Sequence, residues 1–248
     1  MIGPFFCGRS TKVDAPAGGF SYVPATAVSD ENSHEAAFIS RRLRMVDEQI
    51  ARRGVRDSAV LAAMRTVPRH LFVPPEYIDE AYQDCPLPIG HEQTISQPYI
   101  VGSMTEHLNL SANSRVLEVG TGSGYQSAVL AEIVREVFTV EVIPELHDRA
   151  CELLDRLGYG NITARLSDGS GGWPEHAPYD GIIVTAAAPQ VPAMLTEQLA
   201  PSGRLVIPLS AGNSYCQELY LICRTPEGIT KHFLYDVRFV PMRGQVEE

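Results

Sequence analysis

The segment Val116-Leu117-Glu118-Val119-Gly120-Thr121-Gly122-Ser123-Gly124-Tyr125 reads as a buried strand, a glycine loop and the start of a helix. Glycine tolerates positive φ and carries no Cβ, so Gly120, Gly122 and Gly124 let the loop, with Thr121 and Ser123 between them, turn tightly and present N–H groups to a ligand. An ordinary tight βα turn is the competing reading. The context favours a nucleoside-bearing cofactor. Residues 115–119 are β-rich, residues 125–134 suit a packed helix, and a second strand over residues 137–141 ends on Glu141, about 20 residues after the first glycine, where Rossmann-like sheets receive ribose hydroxyls. The G-x-G-x-G spacing departs from the dinucleotide fingerprint G-x-G-x-x-G, which disfavours a nicotinamide dehydrogenase.

The strand–helix alternation continues. A helix over residues 145–157 presents Leu146, Ala150, Leu153 and Leu157 on one face, and strands follow at residues 161–166, 181–184 and 204–208, with a helix near residues 193–199. This order predicts a doubly wound, mostly parallel α/β sheet. Residues 218–224 and 230–239, joined by Pro226-Glu227-Gly228, predict an antiparallel hairpin at one sheet edge.

Ahead of the sheet, Ile39, Leu43, Val46 and Ile50 recur at helical spacing over residues 36–53 and Gly54 follows as a stop. Asp57 is placed as N-cap of a second helix through Val60, Leu61 and Met64 to Pro68. These helices predict an N-terminal cap. Residues 85–98 carry three prolines and Gly90 and are expected to form a long irregular connection, and Pro98 fits the first turn of a helix burying Val101, Met104 and Leu108. Residues 1–35, rich in Gly, Pro, Ala and Ser without a sustained period, read as a flexible arm or a processed segment, and the apolar start lacks the basic region of a signal peptide.

Composition excludes several classes. A net charge of −10 with no evident basic face argues against nucleic acid as a partner. No apolar run of about 18 residues predicts a membrane span. Five scattered cysteines without C-x-x-C spacing fit reduced thiols in a cytoplasmic protein, and no histidine pair has metal-ligand spacing, so no metal is expected.

Three acidic residues close three strands: Glu118, Glu141 and Asp168. In an open α/β sheet the ligand lies beyond the carboxyl ends of the strands, so the three converge. Glu118 is placed to anchor the loop or to face an ammonium group, and Glu141 to hold ribose hydroxyls. Asp168 either accepts from an adenine amine, with the Gly169 backbone against the ring, or simply forms an Asp-Gly turn.

The chain resembles the class I S-adenosylmethionine-dependent methyltransferases, and within them the protein-L-isoaspartate O-methyltransferases, over roughly residues 37–243. The resemblance rests on Leu87-Pro88-Ile89-Gly90, Gln93-Thr94-Ile95-Ser96-Gln97-Pro98, the loop over residues 118–126, Asp168-Gly169 with Gly172-Trp173, Ile182-Ile183-Val184-Thr185-Ala186, and Val237-Arg238-Phe239-Val240-Pro241. It implies methyl transfer from S-adenosyl-L-methionine, leaving S-adenosyl-L-homocysteine, to the α-carboxylate of L-isoaspartyl residues in damaged proteins, with D-aspartyl residues as a secondary expectation. The ester then passes through a succinimide toward normal aspartate. It also implies Ser96 as the active-site serine, with Thr94, Ile95 and Gln97 on the same loop and Arg238 and Val240 along the peptide site. Read from the residues alone, Ser96 serves equally as a helix cap and Arg238 as a solvated charge. The division implied is an arm over residues 1–35 and a single methyltransferase domain, with a helical cap and substrate loop over residues 36–110 and a Rossmann-like core with its hairpin over residues 111–248, the monomer being favoured. Two departures stand out: His91-Glu92 beside the substrate loop, and Ser170-Gly171 where relatives often carry an aromatic residue. A methyltransferase that esterifies small carboxylic acids, and a non-catalytic adaptor for damaged proteins, remain the competing functions.

Overall fold

Apolar runs such as Ile182–Val184 bury both faces of their strands, so this sheet needs cover on both sides. The structure is a computed structural model in which residues 25–210 and 216–244 are described, with side chains from residue 34 onward. The expected arm lies, over residues 1–24, outside the described residues. The chain divides into a unit over residues 1–36 and a larger one over residues 37–248, and the sheet lies wholly in the second.

Helix α1 (Ala25–Arg44) begins inside the stretch expected to be irregular and gives way to a π-helical turn, Met45–Ile50, then to a 3-10 turn ended by Gly54 at φ 109°. The π-turn changes which residues face inward. Val46 and Ile50 are buried as expected, but Ile39 and Leu43 are each 40% exposed, while Phe38, Arg42 and Met45 turn toward the core. A single 3.6-residue period does not continue through a wider turn, so the predicted stripe is right only in its second half. Arg42 is tolerated on the buried face because its Nε donates to the Arg65 carbonyl at 2.6 Å. Helix α2 (Ser58–Thr66) is capped by Asp57, whose carboxylate accepts from the N–H groups of Ala59 and Val60.

Residues 85–98, expected to be irregular, contain a hairpin: β1 (Leu87–Gly90) pairs antiparallel with β2 (Gln93–Ile95). The strands are short and Pro88 points outward, which hides the β pattern behind turn-forming residues. His91 and Glu92 occupy the turn with φ of 53° and 61°, the double positive φ of a type I′ hairpin turn. Helix α3 (Pro98–His107) follows and buries Val101, Met104 and Leu108 as its sequence predicts.

The main sheet comprises β3 (Arg115–Val119), β4 (Glu136–Glu141), β5 (Ile162–Leu166), β6 (Tyr179–Val184), β7 (Leu199–Ser210), β8 (Gln217–Thr225) and β9 (Gly228–Val237), in the order β5-β4-β3-β6-β7-β8-β9. The first five run parallel and the last two form the antiparallel edge hairpin. Between them lie α4 (Tyr125–Ala131), α5 (Pro144–Arg156) and α6 (Ala193–Glu197). Alternate strand residues enter two cores, as a period of two requires. Val116, Val137, Ile183 and Val206 pack with α2, α3, α4 and α5. Leu117, Val119, Phe138, Val140, Ile182 and Val184 pack with Trp173 and Leu195.

Glu118 interrupts this apolar interior. It is fully buried, and one carboxyl oxygen, Oε2, accepts from the hydroxyls of Thr139 on β4, at 2.7 Å, and Ser127 on α4. The other, Oε1, is buried with no hydrogen-bond partner among the described residues. Burial outweighs the two hydroxyl donors and pushes the carboxyl pKa up to about 8, so the group is largely protonated at neutral pH. The unfolded chain releases that proton near the ordinary carboxylate pKa, about 4.3, whereas the folded chain keeps it to about 8. Stability therefore falls as pH rises through this window, by on the order of 1 kcal/mol per pH unit from this group. E118Q removes the proton. Denaturant unfolding from about pH 5 to pH 8 should show wild type losing stability relative to E118Q by about that slope, and parallel profiles would refute it.

Candidate active site

The chain steps from β3 to β4 on one side and returns to β6 on the other, so a crevice opens where the carboxyl ends of β3, β4 and β6 meet. The glycine loop forms its floor. Glu141, 6% exposed, holds the loop: Oε2 accepts from the Gly122 N–H at 2.8 Å, and Oε1 from the N–H groups of Val142 and Ile143 at 2.9 and 3.0 Å. Thr185, just beyond β6, donates its hydroxyl to the carbonyls of Val119 and Gly120 at 3.0 and 2.7 Å. A Cβ on Gly120, which has φ 98°, would stand 2.4 Å from that hydroxyl, so only glycine fits.

Of the predicted cofactor residues, Glu118, Gly120, Thr121, Gly122, Ser123, Glu141 and Gly169 line this cleft. The Thr121 hydroxyl turns inward to Thr139 at 2.7 Å, leaving its backbone toward the cleft. Gly124 and Asp168 do not line it. Gly124 starts α4 at φ 84° with Leu154 and Ala150 of α5 against it. Asp168 accepts from the Ser170 N–H at 2.8 Å, as an Asp-Gly turn would, and a Cβ on Gly244 would stand 2.6 Å from its carboxylate. Ile143, Met242 and Arg243 line the cleft without having been singled out in the sequence, and Thr185, quoted there within a motif but given no role, lines it too.

A second cleft opens beside the first, lined by Gln97, Tyr99, Tyr235, Arg238 and Phe239 among others. Thr94, Ser96, Thr185 and Val240 line both. Ser96 is not the cap of α3. That position falls to Gln97, which makes no side-chain cap bond, and the Tyr99 N–H is met instead by Asp84 Oδ1 at 3.1 Å. Asp84 also accepts from Gln97 Nε2, at 2.7 Å through Oδ2 and 3.0 Å through its carbonyl, and pairs with Arg53. The Gln97 side chain is thus spent on Asp84, a residue the sequence reading passed over. Ile95 is 4% exposed and walls the first cleft. Arg238 is exposed on the second cleft, with no ion pair among the described residues.

The chain after β9 finishes the wall. Ala187 N–H donates to the Val240 carbonyl and Met242 N–H to the Ala187 carbonyl, each at 2.8 Å, which lays this segment along the loop after β6. Arg243 Nη2 then reaches Glu92 Oε2 at 2.9 Å in the hairpin turn. The His91-Glu92 departure is therefore one side of a contact across the rim.

The family model for protein-L-isoaspartate(D-aspartate) O-methyltransferase matches residues 40–247. A protein-L-isoaspartate O-methyltransferase of Synechococcus sp. (strain JA-2-3B'a(2-13)) is 52% identical over 210 residues, covering 83% of this chain and 86% of the relative. That of Gloeobacter violaceus is 54% identical over 198 residues, covering 80% and 96%. Among solved structures, a protein-L-isoaspartate O-methyltransferase superposes with a TM-score of 0.76 at 28% identity, over 84% of this chain and 67% of that one. A Plasmodium falciparum structure described as a putative protein-L-isoaspartate O-methyltransferase in complex with S-adenosyl-L-homocysteine gives a TM-score of 0.71 at 29% identity, over 82% and 98%. With the motif positions gathered around one pair of clefts and this match across most of its length, the chain belongs to the protein-L-isoaspartate(D-aspartate) O-methyltransferase family.

Proposed function

We propose that the two clefts are the cofactor and peptide halves of a methyl-transfer site, joined at Ser96. The family's activity is the methylation of isoaspartyl residues with S-adenosyl-L-methionine. The observation that carries the residue assignment is the position of Ser96: it lines both clefts and its hydroxyl is not spent as a helix cap.

The residues on the cofactor side fit such a group. Glu118 Oε1 is a buried carboxyl oxygen without a partner among the described residues, which becomes an acceptor for an ammonium group once its proton is released, and the Glu141 carboxylate borders the cleft with one lone pair on Oε2 left for a hydroxyl. Gly169 is backed by Val119 and Val140 and offers a flat surface to a ring, with Ile143 also lining the cleft. When bound, S-adenosyl-L-methionine supplies an electrophilic methyl on a sulfonium.

The chain's own task is then positioning. A substrate carboxylate with pKa near 4 is already ionised at neutral pH, so no general base is required. Ser96 donates to that carboxylate and orients it, Thr94 and Val240 bound the same junction, and Arg238 offers a positive charge along the peptide. Holding the reacting pair in line contributes about 7–11 kcal/mol in well-oriented systems, a large share of what such a transfer needs. Excluding water strengthens the attraction between carboxylate and sulfonium. We further propose a cytoplasmic monomer acting on isoaspartyl-containing proteins, without nucleic acid or membrane as partner. The acidic net charge and scattered cysteines support this reading, and among the described residues no helix is long and apolar enough to cross a membrane.

Incubation with labelled S-adenosyl-L-methionine should label an isoaspartyl peptide and spare its normal aspartyl twin; equal labelling of both, or none, would overturn the repair function. S96A should lower kcat about 10- to 100-fold, the worth of a hydrogen bond to a charged group, and leave S-adenosyl-L-homocysteine affinity nearly unchanged in calorimetry. A loss confined to cofactor affinity would put Ser96 in the wrong role.

A further inference from the structure

Arg69 is fully buried at the start of a 3-10 turn, Arg69–Phe72, outside both clefts. Among the described residues no carboxylate pairs with it. Its Nε donates to the Ala81 carbonyl at 2.8 Å and its Nη2 to the carbonyl of Ser96 at 2.7 Å. The guanidinium carbon lies 4.7 Å from the centroid of the Tyr125 ring, the first residue of α4 beyond the glycine loop. Desolvation lowers the guanidinium pKa, with Tyr125 and Tyr82 among the groups that counter it.

A buried charge without a counter-ion carries a desolvation penalty that an apolar side chain of similar volume would avoid, so general core stability is a poor account of an arginine here. Geometry is a better one. A planar fork can bond two carbonyls from different segments and lay its face on a ring at the same time, which an ammonium does not do. Here the bonded carbonyls belong to Ala81 and to Ser96, and the ring belongs to the helix that the cofactor loop feeds.

We propose that Arg69 is a positioning residue for methyl transfer, bracing the Ser96 backbone against the start of α4 so that the serine hydroxyl and the glycine loop keep a fixed mutual geometry. The proposal rests on the assignment of Ser96 as the orienting hydroxyl. Arg69 touches neither reactant in this account. Its effect passes through the Ser96 carbonyl, and its loss lets the peptide half of the site shift against the cofactor half.

A double-mutant cycle with R69K and S96A tests this. R69K keeps a positive charge but loses the fork, and R69M serves as a second variant if the lysine form folds poorly. In the wild-type background, R69K should lower kcat at least about tenfold, with S-adenosyl-L-homocysteine affinity within about threefold of wild type. In the S96A background the same change should cost less than about twofold, since the hydroxyl it positions is gone. An equal loss in both backgrounds would make Arg69 merely structural, as would a loss confined to KM or to cofactor affinity. S96A without effect would instead refute the role of Ser96 itself, so the two failures are distinguishable.

Discussion

The carboxylate of Glu141 fixes the relation between the two loops that floor the first cleft. By accepting from Gly122 on one side and from Val142 and Ile143 on the other, it ties the turn after β3 to the turn after β4 at the carboxyl ends of adjacent strands. Thr185 does the same from β6 through two carbonyls. The glycine loop, which could take many shapes alone, is thereby left with one. The parallel pairing of β3 with both β4 and β6 makes this possible, since it brings three strand ends to one edge.

Around this rigid floor the polar interior divides its work. Glu118, Thr121, Thr139 and Ser127 form a buried network that joins β3, β4 and α4 beneath the loop. Asp84 does comparable work on the peptide side, meeting the first N–H of α3, the Gln97 amide and Arg53. Asp84 and the Oε2 oxygen of Glu118 spend their bonding on keeping loops in place, and the hydroxyl of Ser96 and the backbone of the glycine loop stay available at the surface of the clefts. This agrees with chemistry that asks for alignment more than for proton transfer.

The repeating parts of the fold were legible in the sequence because they rest on local signals. Strand–helix alternation, the positive φ of the three glycines, Asp57 as a cap and Pro98 as a helix start each depend on a few neighbouring residues, and each appears as expected. What escaped was set by contacts between distant residues or by rare backbone forms. The π-turn after Arg44 redirected the inner face from Ile39 and Leu43 to Phe38, Arg42 and Met45. The β1–β2 hairpin was hidden by its prolines and by a turn built on His91 and Glu92 in place of glycine. Asp84 and Arg69 act on residues 12 to 31 positions away, a separation that no periodicity reports.

The wall of the first cleft is drawn from segments that precede and follow the main sheet, with the hairpin around Gly90 on one side and residues 240–243 on the other, clasped by Arg243 and Glu92. The order of synthesis then matters. A ribosome that has delivered the whole parallel sheet has made the glycine loop and its acidic anchors but leaves the crevice open along one flank. That flank closes only once residues 240–243 have emerged, so chains truncated before them carry the glycine loop without its full enclosure.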